Sequence, residues 1–174
     1  MAMIGTPRQI VILNTLAQPA PRIEGAMRDL KRDIEDTGDA RKRYRSAPKF
    51  APAGQSTQLI VGADGAPDTE IIDRSASLYG GYGLRRVYYS AYSPIPDASS
   101  DLPPVRPPLM REHRLYQADW LMRFYGFSAD EIATGTTAGH LDLELDPKLA
   151  WALQHRGQFP VDVNAASQEM LLRV

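Results

Sequence analysis

Apolar residues recur at helical spacing in some stretches of the chain and in short runs bounded by glycine and proline in others. Ile23, Met27, Leu30 and Ile34 stand three or four positions apart among charged residues. That spacing predicts an amphipathic helix from Ile23 to about Tyr44, weakened near Thr37 and Gly38. Before it, Gln9–Asn14 is a short apolar run that reads as a buried strand, though brevity leaves a helical turn open. After it, Thr57–Gly62 and Arg86–Tyr92 read as strands with a helix between them. Asp68 is the expected cap of that helix, with Glu70 in its first turn, and Ile71, Ile72, Ala76 and Tyr79 form its stripe. The glycines from Gly80 to Gly83 are expected to end it. A strand, a helix and a strand in that order predict parallel neighbours joined by a right-handed crossover.

Further along, Pro94 to Pro108 holds six prolines and predicts an extended loop. Met110–Tyr125 predicts the strongest helix, with Tyr116, Trp120 and Phe124 as its apolar stripe and Gly126 as its stop. Ser128 is placed to cap a short helix through Ile132. Gly135–Gly139 reads as a flexible break and a domain boundary. Asp146 and Pro147 open a helix carrying Leu149, Trp151 and Leu153. Phe159–Val163 reads as extended, and Asn164 as the cap of a terminal helix over 165–173. The expected segments are therefore 1–21, 22–134 and 135–174.

Composition narrows the function classes. With 174 residues, 43% hydrophobic and 24% charged, the chain is an ordinary globular one with room for a substantial core. Its net charge of −1 gives no global pull toward nucleic acid or anionic membrane. The positive charge is local, with eight Lys and Arg between Arg28 and Lys49. Arg41, Lys42, Arg43 and Arg45 are the candidate nucleic-acid contacts. The absence of cysteine excludes disulfides, zinc–thiolate sites and any iron–sulfur cluster ligated within these residues. No signal-peptide pattern or long apolar run is present, and the expected compartment is the cytoplasm.

Candidate chemistry gathers at the strand ends. Gln55, Ser56 and Gln58 offer amides and a hydroxyl, and Gly62 allows close backbone approach to a ligand. Strand capping explains the same residues equally well. Tyr88, Tyr89, Ser90, Tyr92 and Ser93 alternate across a strand, so about half of them face the helices and pack, leaving the others to line a pocket; Tyr89, Ser90 and Ser93 are the candidates. Arg111 and Arg114 stand one turn apart, suited to an anionic group, with His113 between them as a donor or acid–base group. A solvated first turn paired by Glu112 is the plainer alternative. His140, Asp142, Glu144 and Asp146 would share one face if extended, a conceivable hard-cation set. Carboxylates facing solvent, with Asp146 as a cap, account for them more simply.

Four blocks carry a family resemblance, in order along the chain. They are Phe50-Ala-Pro-Ala-Gly-Gln-Ser-Thr-Gln-Leu-Ile-Val-Gly-Ala63, Leu84-Arg-Arg-Val-Tyr-Tyr-Ser-Ala-Tyr-Ser-Pro-Ile-Pro96, Pro107-Pro-Leu-Met-Arg-Glu-His-Arg-Leu-Tyr-Gln-Ala-Asp-Trp120 and Phe159-Pro-Val-Asp-Val-Asn164. From about Ile23 to Val174 the chain resembles the C-terminal half of the DNA modification/repair radical SAM proteins. The resemblance implies an α/β fold: the late strands of a TIM-type (β/α) barrel, followed by a small helical tail like the first half of a helix-hairpin-helix. It implies S-adenosylmethionine and a [4Fe–4S] cluster for the complete family member, and DNA as partner. On this reading Gln55, Ser56, Gln58 and Gly62 lie on the cofactor side. Tyr89, Ser90, Ser93, Arg111, His113 and Arg114 lie toward substrate. The family's cluster is held by a Cys-x3-Cys-x2-Cys loop, and this chain has no cysteine, so no cofactor is expected within it. A non-catalytic nucleic-acid-binding or interaction module, using the basic stretch and the terminal helix, is the competing expectation. A missing N-terminal half or a DNA-repair protein is a further expected partner.

Overall fold

A computed structural model of the chain describes residues 3–4, 10–13, 20–93 and 107–174, with side chains from Ile23 onward. The fold is mixed α/β. Its strands are β1 (Met3–Ile4), β2 (Ile10–Leu13), β3 (Gln55–Val61) and β4 (Arg86–Ala91). The helices are α1 (Ala20–Arg43), α2 (Asp68–Tyr82), α3 (Leu109–Phe124), α4 (Ala129–Ala133), α5 (Pro147–Gln154) and α6 (Gln168–Leu172). Among the described residues no helix is long and apolar enough to cross a membrane. Most of the proline-rich segment expected as a loop lies outside the described residues.

The four strands form one sheet in the order β1-β2-β3-β4. β1 pairs antiparallel with β2, and β2 pairs parallel with β3, Ile10 facing Gln55 and Leu13 facing Gln58. Between β3 and β4 the Arg85 N–H donates to the Gln55 carbonyl and the Tyr92 N–H to the Val61 carbonyl, both at 2.8 Å. Partners that ascend together mark a parallel pair, each crossover running through one helix. The described strands close no barrel; they form an open sheet.

The chain divides into two compact units, residues 1–60 with 77–90, and residues 61–76 with 91–174. The Gly135–Gly139 stretch lies within the second of them. A Cβ on Gly135 would lie 3.1 Å from Ala150 Cβ, and the Gly139 carbonyl accepts from the Thr69 N–H at 3.0 Å. That stretch is packed inside the second unit.

In the first unit, α1 runs unbroken through Thr37 and Gly38, and buries Ile23 and Met27. Val87 and Tyr89 of β4 are buried with Leu78 and Leu84. β4 is an edge strand among the described residues, and the Val87 N–H is taken by the Tyr79 hydroxyl at 3.0 Å. A side chain on that donor blunts an edge that would otherwise pair with another strand.

In the second unit, Leu115, Ala118 and Leu121 of α3 are buried with Phe127, Ile132, Leu141 and Trp151. The Phe127 and Trp151 rings meet edge-on at 5.3 Å. The aromatic spacing that marked α3 as a helix does not mark its buried face: Trp120 is 52% and Phe124 53% exposed, their rings 4.4 Å apart. The buried face includes Arg114 and Asp119, whose charges are met within the protein by Leu143, Gln117 and Arg123. Ser128 caps α4 with Glu131 in a reciprocal capping box, and the Asp146 side chain caps α5 through the Leu149 N–H. Ser167, rather than Asn164, caps the short α6, because residues 162–166 form a turn in which the Asp162 carbonyl accepts from Ala165 and Ala166.

Candidate functional site

Gln55 opens β3 and is fully buried. Its amide nitrogen donates to the Met27 carbonyl of α1 at 3.1 Å and to the Tyr82 carbonyl of α2 at 2.8 Å. The side chain thus points into the helix layer, tying two helices to the strand, and its donors are spent there. The alternation of a strand then sends Ser56 and Gln58 to the opposite face. Gln58 hydrogen-bonds the Ser90 hydroxyl on β4. Ser56 is buried on that side, whereas Gln58, Tyr88 and Ser90 are part-exposed, with the Arg86 guanidinium 4.9 Å from the centre of the Tyr88 ring. Tyr89, expected to face substrate, is 1% exposed and belongs to the packed set with Val87. Tyr88 stood in the alternating set but not among the site candidates; the strand phase that Gln55 sets is what selects it.

Around the start of β3 the first unit forms an open hollow of about 440 Å³. One wall is a face of α1 bearing Lys31, Glu35 and Arg41; the others are the 49–54 loop and the 82–85 turn. Arg41 also donates to the Ala47 carbonyl, and Lys31 Nζ to the Gly81 carbonyl at 3.0 Å. Lys42, Arg43 and Arg45 are exposed beyond it. The hydrogen bond and charge of Lys42, 2.8 Å away, hold the Asp39 carboxyl below its usual range. Of the four candidate nucleic-acid contacts, Arg41 and Lys42 are therefore partly engaged by the protein.

The second unit holds the remaining candidates. Gly62 has φ +82°, and a Cβ there would lie 2.8 Å from Pro108 Cγ. Close packing by Pro108 thus explains the glycine before any ligand is invoked. Arg111 Nε donates to Asp68 at 2.5 Å, and the same guanidinium reaches the Ala66 carbonyl. The other oxygen of Asp68 accepts from the Leu141 N–H at 3.0 Å, with His140 Nδ1 3.6 Å away. Arg114 donates to Gln117 Oε1 at 2.8 Å and to the Leu143 carbonyl at 2.9 Å. Both arginines expected to meet an anionic substrate are therefore engaged within the protein, Arg114 holding Leu143 directly and Arg111 reaching Leu141 only through Asp68. Glu112 accepts from the Ala91 N–H at 2.6 Å, and His113 and Ser93 are exposed.

His140, Asp142, Glu144 and Asp146 do not form an extended acidic face. Thr137 and His140 bridge a tight turn, and Asp142 accepts from the Leu145 and Glu144 N–H groups, which hold its carboxyl below the usual range. Among the described residues no three His, Cys, Asp or Glu are grouped to hold a metal.

Arg173 anchors the C-terminal residues. It donates to Glu131 Oε1 at 2.8 Å, and its guanidinium carbon lies 4.8 Å from the centre of the Phe127 ring. Sequence reasoning left this residue inside a generic terminal helix. Comparison with family models, curated proteins and solved structures gave no match for the chain.

Proposed function

We propose that this chain forms the C-terminal part of a radical SAM enzyme of DNA modification or repair. It contributes walls for S-adenosylmethionine and a nucleic-acid substrate, while the cluster thiolates lie outside these residues. The observation that carries the reading is the resemblance of four sequence blocks, in order, over most of the chain. β2, β3 and β4 neighbour one another in chain order with a helix between each, an arrangement common to (β/α) barrels and open doubly wound sheets. The part-exposed Gln58–Ser90 pair lies on the sheet face turned from Gln55 and its helices, the side corresponding to a barrel interior.

The residues present do not fit a [4Fe–4S] cluster, since the chain has no cysteine, and no radical step is derived for it. When bound, S-adenosylmethionine supplies the radical precursor in such enzymes. On this chain Gln58 and Ser90 are the side chains that would hold it or the substrate, with Gln55 positioning the strand behind them. The exposed Arg43 and Arg45 favour a second reading, nucleic-acid binding without catalysis.

Calorimetric titration with S-adenosylmethionine and with duplex DNA separates the two. The first reading expects saturable S-adenosylmethionine binding that weakens at least about tenfold in Gln58→Ala, a loss of about 1.4 kcal/mol. DNA binding without any S-adenosylmethionine binding would favour the second. Anaerobic iron–sulfur reconstitution supplies a further check: a cluster spectrum from the 174-residue chain alone would overturn the assignment of the thiolates to another segment.

A further inference from the structure

The cavity at the start of β3 carries features that packing alone does not explain. Lys31, Arg41, Lys49 and Arg85 line it against a single acid, Glu35. Lys49 and Arg85 are exposed there, and Arg85 is laid across Gly54, where a Cβ would come within 2.6 Å of its Cγ. Phe50 gives the same cavity an aromatic wall.

Two backbone choices sharpen this. Gly38 lies inside α1 and lines the cavity, yet a Cβ added to it would meet nothing within 4 Å. Glycine in a helix interior costs about 1 kcal/mol relative to alanine, and here no neighbouring atom demands it. Ala51, in the facing loop, holds φ +37°, a left-handed conformation that is costly for a residue with a Cβ. Departures from local preference tend to gather at functional sites, and two of them lie around this one charged hollow.

We infer that this cavity binds a nucleoside monophosphate unit, free or as the phosphorylated end of a strand. The phosphate meets Lys49 and Arg85 at the rim, and the planar base lies against Phe50 and the bare backbone of Gly38. About 440 Å³ suits a ligand of that size, within the usual range of roughly 300–1,000 Å³ for small-molecule pockets. The site is at the end where β3 begins, whereas barrel enzymes keep their chemistry where strands end. It therefore does not rest on the function proposed above.

The test is calorimetric titration of the full chain with adenosine 5′-monophosphate. Adenosine, inorganic phosphate, an acidic peptide and a short 5′-phosphorylated single strand serve as comparison ligands. The monophosphate should bind at least about tenfold tighter than adenosine or phosphate, and more weakly as salt rises. Lys49→Glu with Arg85→Glu should weaken it at least about tenfold. Gly38→Leu should also abolish binding while the melting temperature holds or rises, because a helix glycine has been replaced. Saturable binding of the strand alone, lost in Gly38→Leu, would support the site and identify a strand end as its ligand. No saturable binding of either phosphorylated ligand, equal binding of the acidic peptide, or undiminished binding in Gly38→Leu would each overturn the inference. S-adenosylmethionine binding sensitive to Gln58→Ala, without monophosphate binding, would overturn this site and leave the other reading standing.

Discussion

Arg111 donates through Nε to Asp68 at 2.5 Å, joining the first turn of α3 to the first turn of α2. Asp68 is 1% exposed and also holds the Leu141 N–H, so one carboxylate organises three segments of the second unit. Removing either partner leaves the other charge desolvated and unpaired. Arg111→Ala and Asp68→Asn are each expected to cost about 3–5 kcal/mol in denaturant unfolding. Arg111→Lys should recover only part, because lysine lacks the fork that serves Asp68 and the Ala66 carbonyl together. Unchanged stability in Arg111→Ala would return Arg111 to the role of ligand contact.

Gln55 and Gln58 lie three residues apart on one strand and should behave oppositely. Gln55→Ala leaves the Met27 and Tyr82 carbonyls without its amide and opens a buried void, costing about 2–4 kcal/mol by chemical denaturation. Gln58→Ala, on the part-exposed face, should cost less than about 1.5 kcal/mol. Equal costs would contradict the assigned strand phase.

Gly62→Ala should destabilise by more than about 1 kcal/mol, since φ +82° and the Pro108 ring both oppose a Cβ. A thermal melt is sufficient to read it. The same change at Gly38 should stabilise instead, by up to about 1 kcal/mol, as nothing crowds that position.

Acid should loosen the C-terminal anchor. Burial opposes ionisation of Glu131, but its bonds from the Ser128 N–H and from Arg173 outweigh that, and its folded pKa lies below the ordinary glutamate value. A depressed carboxylate pKa contributes stability that is present above the unfolded value and lost as pH falls through the folded one. Amide exchange in α6 should therefore rise as pH drops below the usual glutamate range, after correction for intrinsic rates. In Glu131→Gln that pH dependence should be largely gone.

Much of the fold was legible because short-range chemistry decided it. Asp146 before Pro147, and Ser128 three residues before Glu131, are cap signals complete within one turn, and both caps form. The strands at Gln55–Val61 and Arg86–Ala91 carry branched or aromatic residues, and Gly54 and Gly62 bound the first of them. The aromatic spacing of α3 announced a helix but not its buried face, since burial there follows Leu115, Ala118 and Leu121 together with two charges. Nothing local announces that Arg114 will find the Leu143 carbonyl, 29 residues away. The candidate site was half legible for the same reason: the polar residues of β3 were evident, but their phase waited on the partners of Gln55. The cavity beside α1 is assembled from three separate segments and has no linear signature.

Glu131 divides its two oxygens between Ser128, whose N–H it holds at 2.9 Å, and Arg173. That division gives local unfolding a direction. The last residues can detach while the α4 cap stays closed, since only one oxygen is vacated. Fraying of α4, by contrast, displaces the carboxylate itself and strips the tail of one anchor, while Arg173 keeps its place over Phe127. Loss of the tail is thus the smaller opening, and a protease that trims the end would find it accessible first.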